Sequence, residues 1–256
     1  MNDKVFISGS ISIKTIPNSV KSSLNNIIKK NMQILIGDAA GIDTLVQKHC
    51  MAKKYYNVIV YSIKQYPRFK ASENFDLKLI NVPNEIKKER ERQQQKDIAM
   101  TKDSDYSFII WDCKSKGSYA NIIRAIEYEK EIKLYVTNRN KFIEQEKINK
   151  LDIEFIFREH NGYTASEIIA HLNANLSDYF KRTQDLNKFL IERSILRKDG
   201  SIYSPMQPYT NLFIIEKLRG KNKDLKFKNE FIDWLEKELK SNKLNGTNIQ
   251  RDLFDR

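Results

Sequence analysis

Three short clusters carry the residues that could hold or cut a phosphorylated ligand: Ser8-Gly9-Ser10, Gly37-Asp38-Ala39-Ala40-Gly41-Ile42-Asp43 and Asp112-Cys113-Lys114-Ser115-Lys116-Gly117-Ser118. They contain all four glycines of the first 150 residues, in a chain with only eight. In the first cluster the glycine lets the chain leave a strand without a Cβ clash, and two hydroxyls and the backbone amides can donate to phosphate oxygens. In the second, small residues and glycines precede a helix start, whose unpaired amides and partial positive charge attract an anion. Asp38 or Asp43 either caps that helix or binds a ribose hydroxyl. In the third, a carboxylate, two lysines and two hydroxyls precede another helix start, and Lys114 could neutralise phosphate. The same residues also suit plain strand-to-helix turns with solvated lysines.

The elements around these clusters alternate. Val5–Ser8, Ile34–Ile36, Val58–Tyr61, Tyr106–Trp111 and Lys133–Val136 read as buried strands. Helices are expected over 20–28, from Gly41 to about Lys54, over 85–102 and over 118–129, while 62–84 shows no clear period. Apolar strands separated by helices imply a parallel sheet with helices on both faces, and ligands of such sheets sit beyond the carboxyl ends of the strands. All three clusters fall there.

Composition narrows the function classes. The chain has 256 residues and a formal net charge of +12, and residues 1–150 hold 27 Lys and Arg against 17 Asp and Glu, a net +10. That excess suits an anionic ligand or nucleic acid, or a solvated lysine-rich surface. Two cysteines, Cys50 and Cys113, and three dispersed histidines give no disulfide framework and no metal-ligand spacing. With no long apolar run and no signal-peptide pattern, a soluble, cytoplasmic, metal-free protein away from the membrane is expected, as a homo-oligomer.

Taken together, VFISGSIS, ILIGDAAGIDTLVQ and FIIWDCKSKGSYANI, with QQQKDIAM between them, resemble the SLOG superfamily. This Rossmann-like group includes DprA-type DNA-processing proteins, molybdenum-cofactor carriers and Lonely-Guy-type phosphoribohydrolases, and the likeness covers about residues 3–138. It implies a nucleotide-like ligand lined by Ser8, Gly9, Ser10, Gly37, Asp38, Ala39, Gly41, Asp43, Asp97, Lys114, Ser115, Gly117, Ser118 and Asn121. The superfamily's enzymes usually keep a glutamate where this chain has Asn121, and an amide has no titratable form near neutral pH. Gln93 and Lys96 stand where an upstream arginine is typical. Binding is therefore favoured over hydrolysis. The alternatives are a nucleotide N-glycosidase or toxic effector using Asp97 or Asp112, and single-stranded DNA binding of the DprA type.

The remaining sequence is organised differently. A linker is expected over 139–158, with a second domain over 159–256, and Thr164 and Glu167 in TASEIIAHLNA have capping-box spacing. A second helical pattern with Leu186, Phe189 and Leu190 leads to a turn at Lys198-Asp199-Gly200-Ser201, and an amphipathic helix is expected from about Leu225 to Leu239. Thr164, Ala165, Glu167, Ile168, Leu172, Leu186, Asn187, Leu190, Ile195, Lys198, Gly200 and Tyr203 resemble the winged-helix modules at the C-terminal end of phage antirepressors. That resemblance implies DNA contacts, for which Lys181, Arg182, Lys188, Arg193, Arg197 and Lys198 are the candidates, with protein interaction as the other role. The expected whole is a nucleotide-sensing regulator or phage-defence protein that engages DNA or a partner.

Overall fold

The computed structural model describes residues 3–175, 179–217 and 223–244. The chain divides into two compact units, Met1–Ile156 and Phe157–Arg256.

The first unit runs β1 Lys4–Gly9, α1 Asn18–Lys29, β2 Gln33–Ile36, α2 Ile42–Ala52, β3 Val58–Ser62, β4 Asp76–Leu79, α3 Glu89–Asp103, β5 Tyr106–Trp111, α4 Lys116–Glu127, β6 Glu131–Val136 and β7 Lys141–Phe142. These strands form one sheet in the order β4-β3-β2-β1-β5-β6-β7, parallel throughout except for β7. The apolar strand runs are continuous because both faces are covered. Val5 and Ile7 pack with Val20, Leu24 and Ile27 of α1 and Ile42, Val46 and Cys50 of α2 on one face. Phe6, Leu35 and Tyr61 pack with Met100 of α3 on the other, where α4 also lies beside α3. The strand order reverses between β1 and β5. The chain therefore passes from β1 to α1 on one face and from β5 to α4 on the other, the place in such sheets where ligands sit beyond the strands' carboxyl ends.

Two strands of this sheet lie where no period was legible. β4 falls in the stretch 62–84, and all four of its residues are exposed. The segment expected as a linker, 139–158, holds β7, a single 3-10 turn at Gln145–Lys147 and much of α5, Lys150–Asn161.

The second unit continues with α6 Ala165–Asn175, α7 Thr183–Glu192, the antiparallel pair β8 Leu196–Asp199 and β9 Ile202–Pro205, the antiparallel pair β10 Phe213–Lys217 and β11 Lys223–Phe227, and α8 Asn229–Leu244. The expected capping box opens α6. Thr164 N donates to Glu167 Oε2 at 2.8 Å, and Glu167 N donates back to Thr164 Oγ1 at 3.2 Å. Ile168, Leu172, Leu186, Leu190, Phe231, Leu235 and Leu239 form the core between the helices. The β8–β9 turn stands at Gly200, with φ +59°. The stretch 225–227, expected to open the last helix, closes the β10–β11 pair instead, and Tyr163 bridges to Phe227. The tail expected to fray after Ser241 instead continues α8 through 242–244; residues 245–256, and 176–178 of the stretch between α6 and α7, lie outside the described residues.

Candidate functional site

The β1 and β5 loops are tied to each other by hydroxyls. Ser10, fully buried, accepts from Asp112 N at 3.1 Å, and its Oγ lies 3.3 Å from Ser118 Oγ. Ser118 Oγ is in turn 3.3 Å from Ser115 Oγ, the N-cap of α4. Asp112 shapes the loop itself. Its Oδ1 accepts from the amides of Lys114 at 2.9 Å and Ser115 at 2.7 Å, and its Oδ2 accepts from Ser12 Oγ at 2.5 Å. Burial alone would raise this carboxyl, but the Ser12 hydroxyl and the two amides hold it below the usual carboxylate range. The result is an ordered α4 N-terminus with Lys114, Lys116 and Gly117 exposed on it. A Cβ on Gly117 would meet only Ser115 Oγ, at 4.0 Å, so a side chain at this exposed position would meet no obstacle.

The other three glycines of the clusters sit in closed space. A Cβ on Gly9 would lie 2.5 Å from the Ile110 carbonyl oxygen and 2.5 Å from Ile42 Cγ1, so this glycine lets α2 start against the sheet. Gly41 is the N-cap of α2 with φ +76°, and its Cβ would lie 2.5 Å from Ile11 Cα and 2.7 Å from the Ser10 carbonyl oxygen. A Cβ on Gly37 would lie 2.3 Å from Asp43 Oδ2 and 2.9 Å from Lys96 Nζ. Gly37 thus makes room for a buried ion cluster.

That cluster spans elements far apart in the chain. Lys96, 4% exposed, stands one turn before Met100 on α3 and pairs with Asp97 at 2.8 Å. Burial alone would lower its pKa, yet the charges of Asp97 and Asp43 overcome this and raise it, so the lysine stays protonated. Asp43 accepts from Ala39 N at 3.1 Å. Its pKa is pushed up to about 6, first by burial and against the pull of Lys96. Asp38, 1% exposed, lies beside this cluster and is engaged by four donors. Ser62 Oγ donates to it at 3.0 Å, Arg68 N at 3.1 Å, Arg68 Nε at 3.2 Å and Arg68 Nη2 at 2.6 Å. Burial would raise Asp38, but Arg68 outweighs it and keeps the carboxyl below its ordinary range.

The sheet face under α3 holds further polar groups. Ser8 follows Ile7, which pairs with Ile36, so it stands level with Gly37 and alternates with Phe6 onto the α3 face. It is 4% exposed, and its hydroxyl has no hydrogen-bond partner among the described residues. On α4, Asn121 is buried and its Oδ1 accepts from Arg124 Nη1 at 2.6 Å. Burial lowers the Arg124 pKa, and the charge of Asp97 works against that. A polar track therefore runs along the carboxyl ends of the central strands, from Arg68 through Asp38, Lys96, Asp97 and Arg124 to Asn121, with the α4 N-terminus beside it.

No family model matches the chain, and no curated protein matches it. Among solved structures it is similar to the molybdenum cofactor binding protein from the phototrophic bacterium Rippkaea orientalis, at 10% identity over 75% of this chain and 98% of that one, with a TM-score of 0.40.

The structure gathers the candidate ligand residues of the first unit at one end of one sheet, with different surroundings. Ser10, Lys114, Ser115, Gly117 and Ser118 stand at the α4 N-terminus, while Ser8, Asp97 and Asn121 stand on the track. Gly9, Gly37, Ala39, Gly41 and Asp43 build the packing beneath it, and Asp38 anchors the segment 63–75. Lys96, Arg68 and Arg124 complete the arrangement. Arg68 and Arg124 are marked only by their spatial partners, whereas Lys96 stands where the resemblance places an arginine.

The basic residues named for DNA in the second unit divide evenly. Arg182 pairs with Asp185 at 3.1 Å, Lys188 with Glu192 at 3.7 Å, and Arg193 with Glu238. Lys181 and Arg197 are exposed without an ion pair among the described residues, and Lys198 lies over the Tyr203 ring at 5.8 Å. No helix among the described residues is long and apolar enough to cross a membrane. Among the same residues, no group of three or more His, Cys, Asp or Glu could hold a metal ion.

Proposed function

We propose that the first unit is a nucleotide-binding domain of SLOG type that holds its ligand without cleaving it. The observation that carries this is the open α4 N-terminus. Its first turn is ordered by Ser115 and Asp112, carries two lysines without ion pairs among the described residues, and leaves the side-chain position of Gly117 unobstructed. Helix amides and lysines at such a position attract phosphate. The buried Ser8 hydroxyl, with no partner among the described residues, supplies a donor for the same ligand.

The residues that would perform hydrolysis are otherwise engaged. Asp97 is paired with Lys96, Asp112 is held by two amides and a hydroxyl, and the Asn121 oxygen is bonded to Arg124. A general base must be able to take a proton near neutral pH, and neither Asp112, held below the usual carboxylate range, nor the Asn121 amide offers that. The second unit, read as a winged-helix module, would then engage DNA or a protein partner as the output of a ligand-responsive regulator. With three of six cations already paired, DNA contact would rest on Lys181, Arg197 and Lys198.

The test is titration of the full chain against a panel of nucleoside mono- and diphosphates, with free base measured in the same samples. Saturable binding without base release supports the reading. Base release abolished by Asp97→Ala would replace it with the hydrolase.

A further inference from the structure

The polar track has a second cationic end that the α4 N-terminus does not explain. Arg68 stands in the segment 63–75 that follows β3, fixed through Nε and Nη2 on Asp38, with its side chain 41% exposed. Its Nη1 makes no hydrogen bond to the described residues. Lys64 is exposed and has no ion pair among those residues, and Arg92 stands in the first turn of α3, its Nη1 bonded to the Ile86 carbonyl. Two carboxylates share this region, Asp38 in its bonds to Arg68 and Glu89. A hydrogen bond from Gln93, followed by the charges of Lys64, Arg92 and Arg68, holds Glu89 below its ordinary range. Three cations against two carboxylates leave one positive charge in excess at the β3 end of the track.

The α4 N-terminus lies at the β5 end. From β3 to β5 there are three strand spacings, through β2 and β1. At about 4.8 Å each the two cationic ends are roughly 14 Å apart. One phosphate cannot satisfy both ends at that separation, because charges beyond a few ångströms are weakened by solvent.

We infer that the site takes a ligand with two separated anionic groups, one at the α4 N-terminus and one among Lys64, Arg68 and Arg92, as in a dinucleotide phosphorylated at both ends. This rests on the nucleotide-binding reading above and adds the class of ligand to it. The Asp38–Arg68 bonds then have a second use, since a guanidinium held in place loses little freedom on meeting an anion.

The full chain is titrated with AMP and with the doubly phosphorylated dinucleotide pApAp, as wild type and as Lys64→Glu. Lys64 is suited to substitution because it is exposed and makes no ion pair with the described residues. The expected result is that wild type binds pApAp at least about 30-fold more tightly than AMP, the gain of one charge-assisted phosphate contact, and that the ratio falls towards one in Lys64→Glu. Equal affinities in wild type, or a ratio untouched by the substitution, would overturn the two-ended ligand and leave nucleotide binding standing. Binding of neither compound would overturn both.

Discussion

The four glycines of the candidate site divide into three that the fold needs and one that it does not, and substituting them should separate packing from binding. Gly41→Ala faces two penalties. At φ +76° a non-glycine residue costs roughly 1–3 kcal/mol of backbone strain. The new Cβ would also overlap Ile11 Cα and two carbonyl oxygens at 2.5–2.7 Å, all backbone atoms that cannot rotate away, which adds roughly 1–3 kcal/mol. The total of about 2–6 kcal/mol should lower the melting temperature of the first unit by on the order of 10 °C. Gly117→Ala meets nothing nearer than 4.0 Å and sits in a helix, where alanine is favoured over glycine by about 0.5–1 kcal/mol. It should melt at or slightly above wild type. Urea denaturation followed by circular dichroism reads both. A Gly41→Ala variant as stable as wild type, or a Gly117→Ala variant that loses more than about 2 kcal/mol, would refute this division.

Other outcomes follow from the same contacts. Asp43, with its folded pKa pushed to about 6 against an ordinary value near 4, binds its proton more tightly when folded, so the stability it contributes at low pH is lost as pH rises through about 6. That rise is worth about 3 kcal/mol, so Asp43→Asn should gain on wild type by about that much between pH 4 and pH 7 in urea titrations at the two pH values. An equal difference at both would contradict it. Glu167→Ala removes the carboxylate half of the α6 capping box, the acceptor for Thr164 N, and the 2.9 Å pair with Arg158, while the residue-167 amide keeps its bond to Thr164 Oγ1, and should cost the second unit about 1–2 kcal/mol in the same assay. If DNA contact rests on Lys181, Arg197 and Lys198 alone, affinity should fall about 40-fold between 50 and 200 mM salt, against roughly 2000-fold for six phosphate contacts, as read by fluorescence anisotropy.

What could be read from the sequence follows burial. The runs VFIS, ILI, VIVY and YSFIIW were legible because parallel strands covered on both faces are apolar without interruption. Asp76-Leu77-Lys78-Leu79 was not, because an edge strand exposed on all four residues has no such run. α5 was hidden for another reason. Ile153, Ile156 and Phe157 are its buried stripe, but exposed Leu151 and Phe155 fill the gaps and make the segment look like one short apolar run. The glycine clusters pointed correctly to strand ends, whereas the partners of Asp38 and Asp43 lie 30 and 53 positions away, at Arg68 and Lys96. No local pattern announces such pairs. Gly9 and Gly37 are glycines because Ile42, Asp43 and Lys96 occupy the space beside them, a fact of packing that spacing alone does not carry.

The most direct test is calorimetric titration of the full chain with AMP, as wild type and as Gly117→Trp, which places a bulky side chain at the α4 N-terminus without touching the packed glycines. One-site binding with a Kd below about 1 mM in wild type, lost in a Gly117→Trp protein that melts within a few degrees of it, is the expected result. Equal binding by the two proteins, or no binding by wild type at millimolar AMP, would contradict the assignment of the α4 N-terminus as the phosphate site.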